Sequence, residues 1–264
     1  MALVQVTTFA PSMKRNMGFT ALLPEGKEPG FLRTAPVLFL LHGWAGNQFD
    51  WLLGSEVARH AQDRGIVVVM PSGENRFYLD DPEMEEYTSR WIVDELPGAV
   101  SEFFGIPRVR DRWYLGGYSM GGYGALRNGL AFPDRFGGLI GLSSALITRG
   151  IAGMKPGEST PFAGYPYYRR VFGDLEALAG SDRDPEALVA RLAGQGGRIP
   201  RIYLSCGTED FLLDDNRSLH RCLEAHGMAH EYHELAGAAH DFAFWNAQLA
   251  PALDWMAAGT GPCN

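Results

Sequence analysis

Short, nearly continuous apolar runs recur along the chain at residues 37–41, 66–70, 112–115, 139–142 and 202–206. Runs of this length, rich in β-branched side chains and lacking strict alternation, predict strands buried on both faces, as in parallel sheets. Amphipathic stretches at 56–62, 91–104, 121–131, 216–226 and 242–257 separate or follow them and predict helices. Alternating strands and helices predict an α/β fold: a mostly parallel, doubly wound sheet with helices on both faces. Residues 5–10 and 18–23 predict an antiparallel edge in front of that sheet, and 231–235 predict its final strand.

Two stretches do not fit this rhythm. Residues 71–89 carry the acidic cluster Asp80, Asp81, Glu83, Glu85 and Glu86, and residues 144–198 are rich in Gly and Pro, with an aromatic patch at Phe162, Tyr165, Tyr167, Tyr168 and Phe172. Structureless loops above about 12 to 15 residues are uncommon in compact domains and are usually functional or disordered. Each follows a strand, so both are expected at the carboxyl edge of the sheet as insertions covering a substrate. No internal repeat or linker divides the 264 residues, and one domain is expected over 1–264.

Composition narrows the function classes. With 46% hydrophobic residues the chain can bury a large core, and 31 acidic against 23 basic residues give a formal charge of -8. That charge argues against nucleic-acid binding and against anionic membrane surfaces. No apolar run reaches the roughly 20 residues that span a bilayer. The first residues show no basic and apolar leader, and the three cysteines, Cys206, Cys222 and Cys263, lack the spacing of a disulfide framework. A cytoplasmic protein with free thiols is expected; self-association stays open.

The sharpest chemical signal is YLGGYSMGGYGAL at Tyr114 to Leu126, where a strand ends in Gly117, Tyr118, Ser119, Met120, Gly121 and a helix follows. This is G-x-S-x-G, in which a serine sits on a strained strand-to-helix turn and flanking glycines remove β-carbons that would collide with their neighbours. Ser119 would stand at a helix N-terminus, which favours developing negative charge, with the Met120 N–H as an oxyanion donor. Upstream, VLFLLHGWAG at Val37 to Gly46 runs from a strand into a bendable loop, and the Trp44 N–H is the second candidate donor. His42 reads as a residue that orders this loop by hydrogen bonding and not as a catalytic base.

Downstream, RIYLSCGTEDF at Arg201 to Phe211 delivers Asp210 just past a buried strand, and LAGAAHDFAFW at Leu235 to Trp245 places His240 between the last strand and the last helix. Ser119, Asp210 and His240 follow the nucleophile, acid, base order of α/β-hydrolases. Other nearby acids fit less well: Asp214 and Asp215 suit the N-terminal end of a predicted helix, and Asp241 directly follows His240. Trp51, Tyr118, Phe211 and Phe242 adjoin the motif residues and are candidate pocket residues, with core packing as the alternative.

Other motifs carry little. His230-Glu231-Tyr232-His233 is one residue short of H-E-x-x-H, no lysine completes a P-loop, and the acidic loop lacks EF-hand order. Cys206 lies inside a predicted strand and reads as a small core residue. No metal or cofactor is expected.

The chain resembles the esterase family that includes esterase D, S-formylglutathione hydrolase, feruloyl esterases and bacterial tributyrin esterases. The matching pieces are ALLPEG at Ala21 to Gly26, the His42 loop followed by Trp51, DELPG at Asp94 to Gly98, GGYSMGGYGAL, CGTEDFLLDDN at Cys206 to Asn216 and HDFAFW at His240 to Trp245. The resemblance implies an α/β-hydrolase fold, a metal-independent acyl-enzyme mechanism, and nucleophile, acid and base roles for Ser119, Asp210 and His240. Residues 144–198 match little of the family, which leaves the substrate open. The reading is a serine carboxylesterase acting on small or short-chain acyl esters. S-formylglutathione hydrolysis, feruloyl or acetyl-carbohydrate ester cleavage, acyl transfer, and a catalytically silent binding protein of the same fold are the alternatives.

Overall fold

In the computed structural model, which describes residues 1–259, eight strands form one sheet in the order β1-β2-β4-β3-β7-β8-β9-β10. β1 (Ala2–Ala10) and β2 (Arg15–Leu23) form an antiparallel hairpin, and β2 pairs antiparallel with β4 (Val67–Pro71). From β4 onward the pairing through β3 (Val37–Leu41), β7 (Trp113–Tyr118), β8 (Gly138–Leu142), β9 (Arg201–Gly207) and β10 (Glu231–Leu235) is parallel. β5 (Asp80–Asp81) and β6 (Glu86–Tyr87) form a separate small hairpin. This is the α/β-hydrolase fold expected from the sequence, with its antiparallel N-terminal edge.

The continuous apolar runs are explained by which side each residue faces. In β3, Val37, Phe39 and Leu41 enter one apolar layer, while Leu38 and Leu40 enter the other. In β4, Val67 and Val69 part from Val68 and Met70 in the same way. Alternate side chains of a strand point to opposite faces, so a sheet covered on both sides needs apolar residues throughout. α1 (Asp50–Gly54), α2 (Val57–Arg64) and α10 (Phe242–Gly259) cover one face. On the other lie α4 (Leu96–Phe104), α5 (Met120–Ala131), α8 (Pro185–Gln195) and α9 (Leu213–Ala225). α3 (Thr88–Arg90) leads into α4 through a π turn at Trp91–Glu95.

Residues 144–198 are more ordered than their composition suggests. They contain α6 (Thr148–Ile151), α7 (Tyr165–Phe172) and α8. α8 starts because Asp184 caps it, accepting the Glu186 N–H at 3.1 Å, with Pro185 in the first turn. It packs against α5 and α9. The stretch before it is moored to α5, where buried Arg127 donates to the Asp182 carbonyl at 2.9 Å and Tyr123 to the Arg183 carbonyl at 2.6 Å.

Strand order reverses between β3 and β7: the chain winds from β3 toward β4 on one side and from β7 toward β10 on the other. A crevice opens at such a switch point, beyond the carboxyl ends of the strands. Among the described residues no helix is long and apolar enough to cross a membrane.

Candidate active site

The turn from β7 to α5 holds Ser119 at φ 52° and ψ −120°, a region that costs a non-glycine residue on the order of 1–3 kcal/mol. Its backbone is pinned on three sides: its N–H donates to the Leu142 carbonyl at 3.0 Å, and its carbonyl accepts from Tyr123 and Ala145 at 3.0 and 2.9 Å. Close approach explains the flanking glycines. A Cβ on Gly117 would lie 2.5 Å from the Gly121 backbone, and one on Gly121 would lie 2.5 Å from the Leu41 carbonyl oxygen.

Asp210 follows β9 and His240 follows β10. His240 Nδ1 lies 2.8 Å from Asp210 Oδ2, and His240 Nε2 lies 3.0 Å from Ser119 Oγ. A carboxylate can only accept, so Nδ1 carries the proton toward Asp210 and Nε2 of the neutral ring is left to accept from the Ser119 hydroxyl. The second Asp210 oxygen, Oδ1, accepts the Leu212 N–H at 2.9 Å. Burial works against a charge on Asp210. The hydrogen bond from His240, the buried Ser143 hydroxyl beside it and the Leu212 amide outweigh burial and hold the carboxyl below its ordinary range. Asp214 is exposed and sits with Asp215 in the first turn of α9, and Asp241 accepts the Phe244 N–H at 2.9 Å as α10 begins. Phe211 and Trp245 flank the His240 ring, with centroids 4.6 and 5.0 Å away.

The loop after β3 faces this constellation. Among the described residues neither the Trp44 N–H nor the Met120 N–H donates to a protein acceptor, which suits donors kept for a ligand. His42 is fully buried and neutral: burial lowers its pKa, Nδ1 donates to the Gly43 carbonyl at 2.7 Å, and Nε2 accepts the Gly73 N–H at 2.8 Å. It orders the loop.

Three residues that sequence reasoning gave no role in this geometry brace the site. Asn75 Oδ1 accepts the N–H of Ala45, which sits at φ 63°, at 2.7 Å. Tyr167, from α7, donates to the Asn75 carbonyl at 2.9 Å and accepts from Trp44 Nε1 at 3.0 Å. On the other side, fully buried Asn216 accepts the Ser144 N–H at 3.1 Å and donates to the Ser144 and Leu212 carbonyls, both at 2.9 Å. Asn216 thereby links the strand end behind Ser119 to the loop that carries Asp210. Its signal was its place in the CGTEDFLLDDN segment; Tyr167 had only the aromatic patch, and Asn75 had none.

The family profile described as "Putative esterase" matches residues 10–256, nearly the whole chain. The chain belongs to this esterase family. It is accordingly a carboxylic ester hydrolase. The esterase is 44% identical over 262 residues to an acetyl esterase of Caldicellulosiruptor saccharolyticus, covering 97% of this chain and 98% of that one. Its fold is similar to the substrate-bound fluorophosphonate-binding serine hydrolase F of Staphylococcus aureus, at a TM-score of 0.84 and 23% identity over 97% of this chain and 98% of that one. It is also similar to the S-formylglutathione hydrolase FrmB of the same organism, at a TM-score of 0.83, the same identity and the same coverages.

Ser119 and His240 of the esterase line a cavity of about 470 Å³, within the usual size range of small-molecule sites. Its walls are largely apolar and include Trp44, Tyr118, Phe162, Tyr168, Phe211 and Trp245. Of the four candidate pocket residues, Tyr118 and Phe211 line it. Trp51 and Phe242 do not: Trp51 is fully buried beneath Tyr118, with Nε1 donating to the Leu41 carbonyl at 3.1 Å, and Phe242 packs edge-on against Trp51. Both lie in the layer under the site, where proximity in sequence to the motifs put them without giving them access to it. Cys206 is buried in β9, and burial first, then the nearby Asp210 charge, pushes its thiol up to about 12. Cys263 lies outside the described residues. Among the described residues no group of three or more His, Cys, Asp or Glu side chains could hold a metal ion.

Proposed function

We propose that the esterase hydrolyses esters of small acyl groups, acetyl foremost, through an acyl-enzyme on Ser119. The observation that carries this reading is the unbroken hydrogen-bond chain from Asp210 through His240 to Ser119 beside an apolar cavity. His240 Nε2 takes the hydroxyl proton as Ser119 Oγ bonds to the ester carbonyl carbon. Asp210 keeps the ring in the required tautomer and stabilises the imidazolium that forms. The Trp44 and Met120 amides receive the oxyanion, and loss of one such donor typically costs about 3 kcal/mol of transition-state stabilisation. His240 then protonates the leaving alcohol oxygen as the carbon–oxygen bond breaks. Water, deprotonated by His240, attacks the acyl-enzyme, releases the acid and returns the proton to Ser119.

Short acyl groups are favoured because the cavity is bounded by Ile147, Ile151, Phe162 and Tyr168 from the segment after β8. That segment offers no long helix with a broad apolar face of the kind long-chain lipid binding needs. The 44% identity to an acetyl esterase supports acetyl as the first acyl group to try. The test is a comparison of kcat/KM for p-nitrophenyl acetate, butyrate and palmitate and for S-formylglutathione. Acetate and butyrate are expected to lead. A palmitoyl ester turned over faster than acetate, with activation at an oil interface, would overturn the acyl assignment, and a lead for S-formylglutathione would move the enzyme to the thioesters.

A further inference from the structure

One group in the cavity wall is out of keeping with the rest. Asp215 lines the same cavity as Ser119 and His240, among aromatic and aliphatic side chains, yet among the described residues its carboxylate accepts no hydrogen bond and forms no ion pair. The other polar groups around it are already engaged. The Tyr167 hydroxyl serves Asn75 and Trp44. The Thr160 and Tyr168 hydroxyls are bonded to each other at 2.7 Å, and Thr160 also accepts the Phe162 and Ala163 N–H groups at 3.2 Å each. Arg149 donates to the Ser218 hydroxyl; its charge acts on Asp215, but among the described residues the two form no ion pair. Asp215 therefore faces the cavity with its acceptor capacity unused.

A half-buried carboxylate without a partner is costly in an apolar wall. Its neighbour on α9, Asp214, is exposed and points away from the cavity lining, so the position in the helix does not by itself force a carboxylate into the pocket. Burial raises the Asp215 pKa, against the Arg149 charge that lowers it and with smaller help from Asp214 and Glu186, as expected of a group lacking a donor.

We propose that Asp215 is a specificity-determining residue that accepts a hydrogen bond from a hydroxyl of the substrate. The proposal rests on the acetyl reading above: an acetyl group carries no donor, so the hydroxyl belongs to the alcohol part of the ester. The cavity has room for it, since an acetyl group fills only a small part of about 470 Å³. The nearby Arg149 charge disfavours a cationic group beside Asp215, which leaves a neutral hydroxyl as the donor. The preferred substrates are thus acetate esters of hydroxylated alcohols, with the free hydroxyl turned toward α9.

The experiment compares kcat/KM for three esters within each protein: glycerol monoacetate, n-propyl acetate, which lacks the hydroxyls, and acetylcholine, which has charge without a donor. A ratio taken within one protein cancels any loss of folded or active fraction. In the wild type, glycerol monoacetate is expected to exceed n-propyl acetate by on the order of tenfold, the scale of one hydrogen bond to a charged group. In Asp215→Leu that ratio should fall toward one, and in Asp215→Asn, which keeps one acceptor oxygen, it should lie between. The proposal is overturned if the ratio is the same in wild type and Asp215→Leu. It is equally overturned if acetylcholine is the ester whose advantage disappears in Asp215→Asn, because the site would then read charge. Failure of the wild type to hydrolyse p-nitrophenyl acetate at all would count against the acetyl esterase reading itself, a separate outcome.

Discussion

His240 Nε2 and Ser119 Oγ meet at 3.0 Å although 121 residues separate them in sequence. The meeting depends on the parallel sheet. β7 and β10 run in the same direction with β8 and β9 between them, so the turns that follow both strands open on one edge. Asp210, after β9, comes to the same edge and closes the chain of contacts at 2.8 Å.

Replacement of Asp210 by Asn tests the acid. The amide is expected to favour the wrong tautomer of His240 and to lower kcat by about 10⁴, by analogy with removal of the acid in other triads. Linkage adds a second readout. The folded-state pKa of Asp210 lies below its ordinary value, so its ionised form contributes stability that is complete above about pH 4 and is lost as pH falls through the folded-state pKa. Chemical denaturation of both proteins from neutral pH down to about pH 3 should show the wild type losing stability relative to Asp210→Asn. A constant difference across that range would place the carboxylate outside the hydrogen-bonded arrangement described.

Asn75→Ala tests the brace on the oxyanion loop. It deletes the acceptor of the Ala45 N–H and leaves that peptide free to turn, which disturbs the neighbouring Trp44 amide. A fall in kcat of roughly tenfold with little change in KM is expected on p-nitrophenyl acetate, the scale of one lost hydrogen bond. Tyr167→Phe, which frees Trp44 Nε1, should act in the same direction. An increase in KM alone for both variants would assign these residues to ground-state binding.

Asn216→Ala should be among the most destabilising single changes at the site. Asn216 accepts the Ser144 N–H in a fully buried place, and that donor left without a partner costs about 1–3 kcal/mol, while the Ser144 carbonyl keeps the Leu146 N–H at 2.8 Å. A loss of about 1–3 kcal/mol in denaturant unfolding is expected, accompanied by reduced kcat because Ala145, next to Ser144, hydrogen-bonds the Ser119 carbonyl. A variant as stable as wild type would show that the loop after β8 is held by other contacts.

The strands and the turns that end them were legible because their physics is written in consecutive residues. A strand covered on both faces must be apolar throughout, as Val37 to Leu41 is, and positions 117 and 121 demand glycine because a Cβ there would lie 2.5 Å from backbone atoms. The stretch 144–198 was not legible as α7 and α8, since Gly and Pro dominate around them. A cap was nonetheless present at Asp184, Pro185 and Glu186. Trp51 and Phe242 misled because adjacency to a motif along the chain says little about which layer a ring enters; both sit under Tyr118. Asp215 was read as a helix-terminal charge, and only the packing of α9 against the cavity gives it a second face.

The central claim is that Ser119 is the nucleophile, and the most direct measurement is covalent labelling of the wild type and Ser119→Ala by a fluorophosphonate probe. Peptide mapping and circular dichroism are run on the same samples. The wild type should carry a single adduct on Ser119. The variant should fold normally, take no label and lose several orders of magnitude in kcat on p-nitrophenyl acetate. A folded Ser119→Ala protein that still hydrolyses this ester at the wild-type rate, or a wild-type adduct on another residue, would contradict the account.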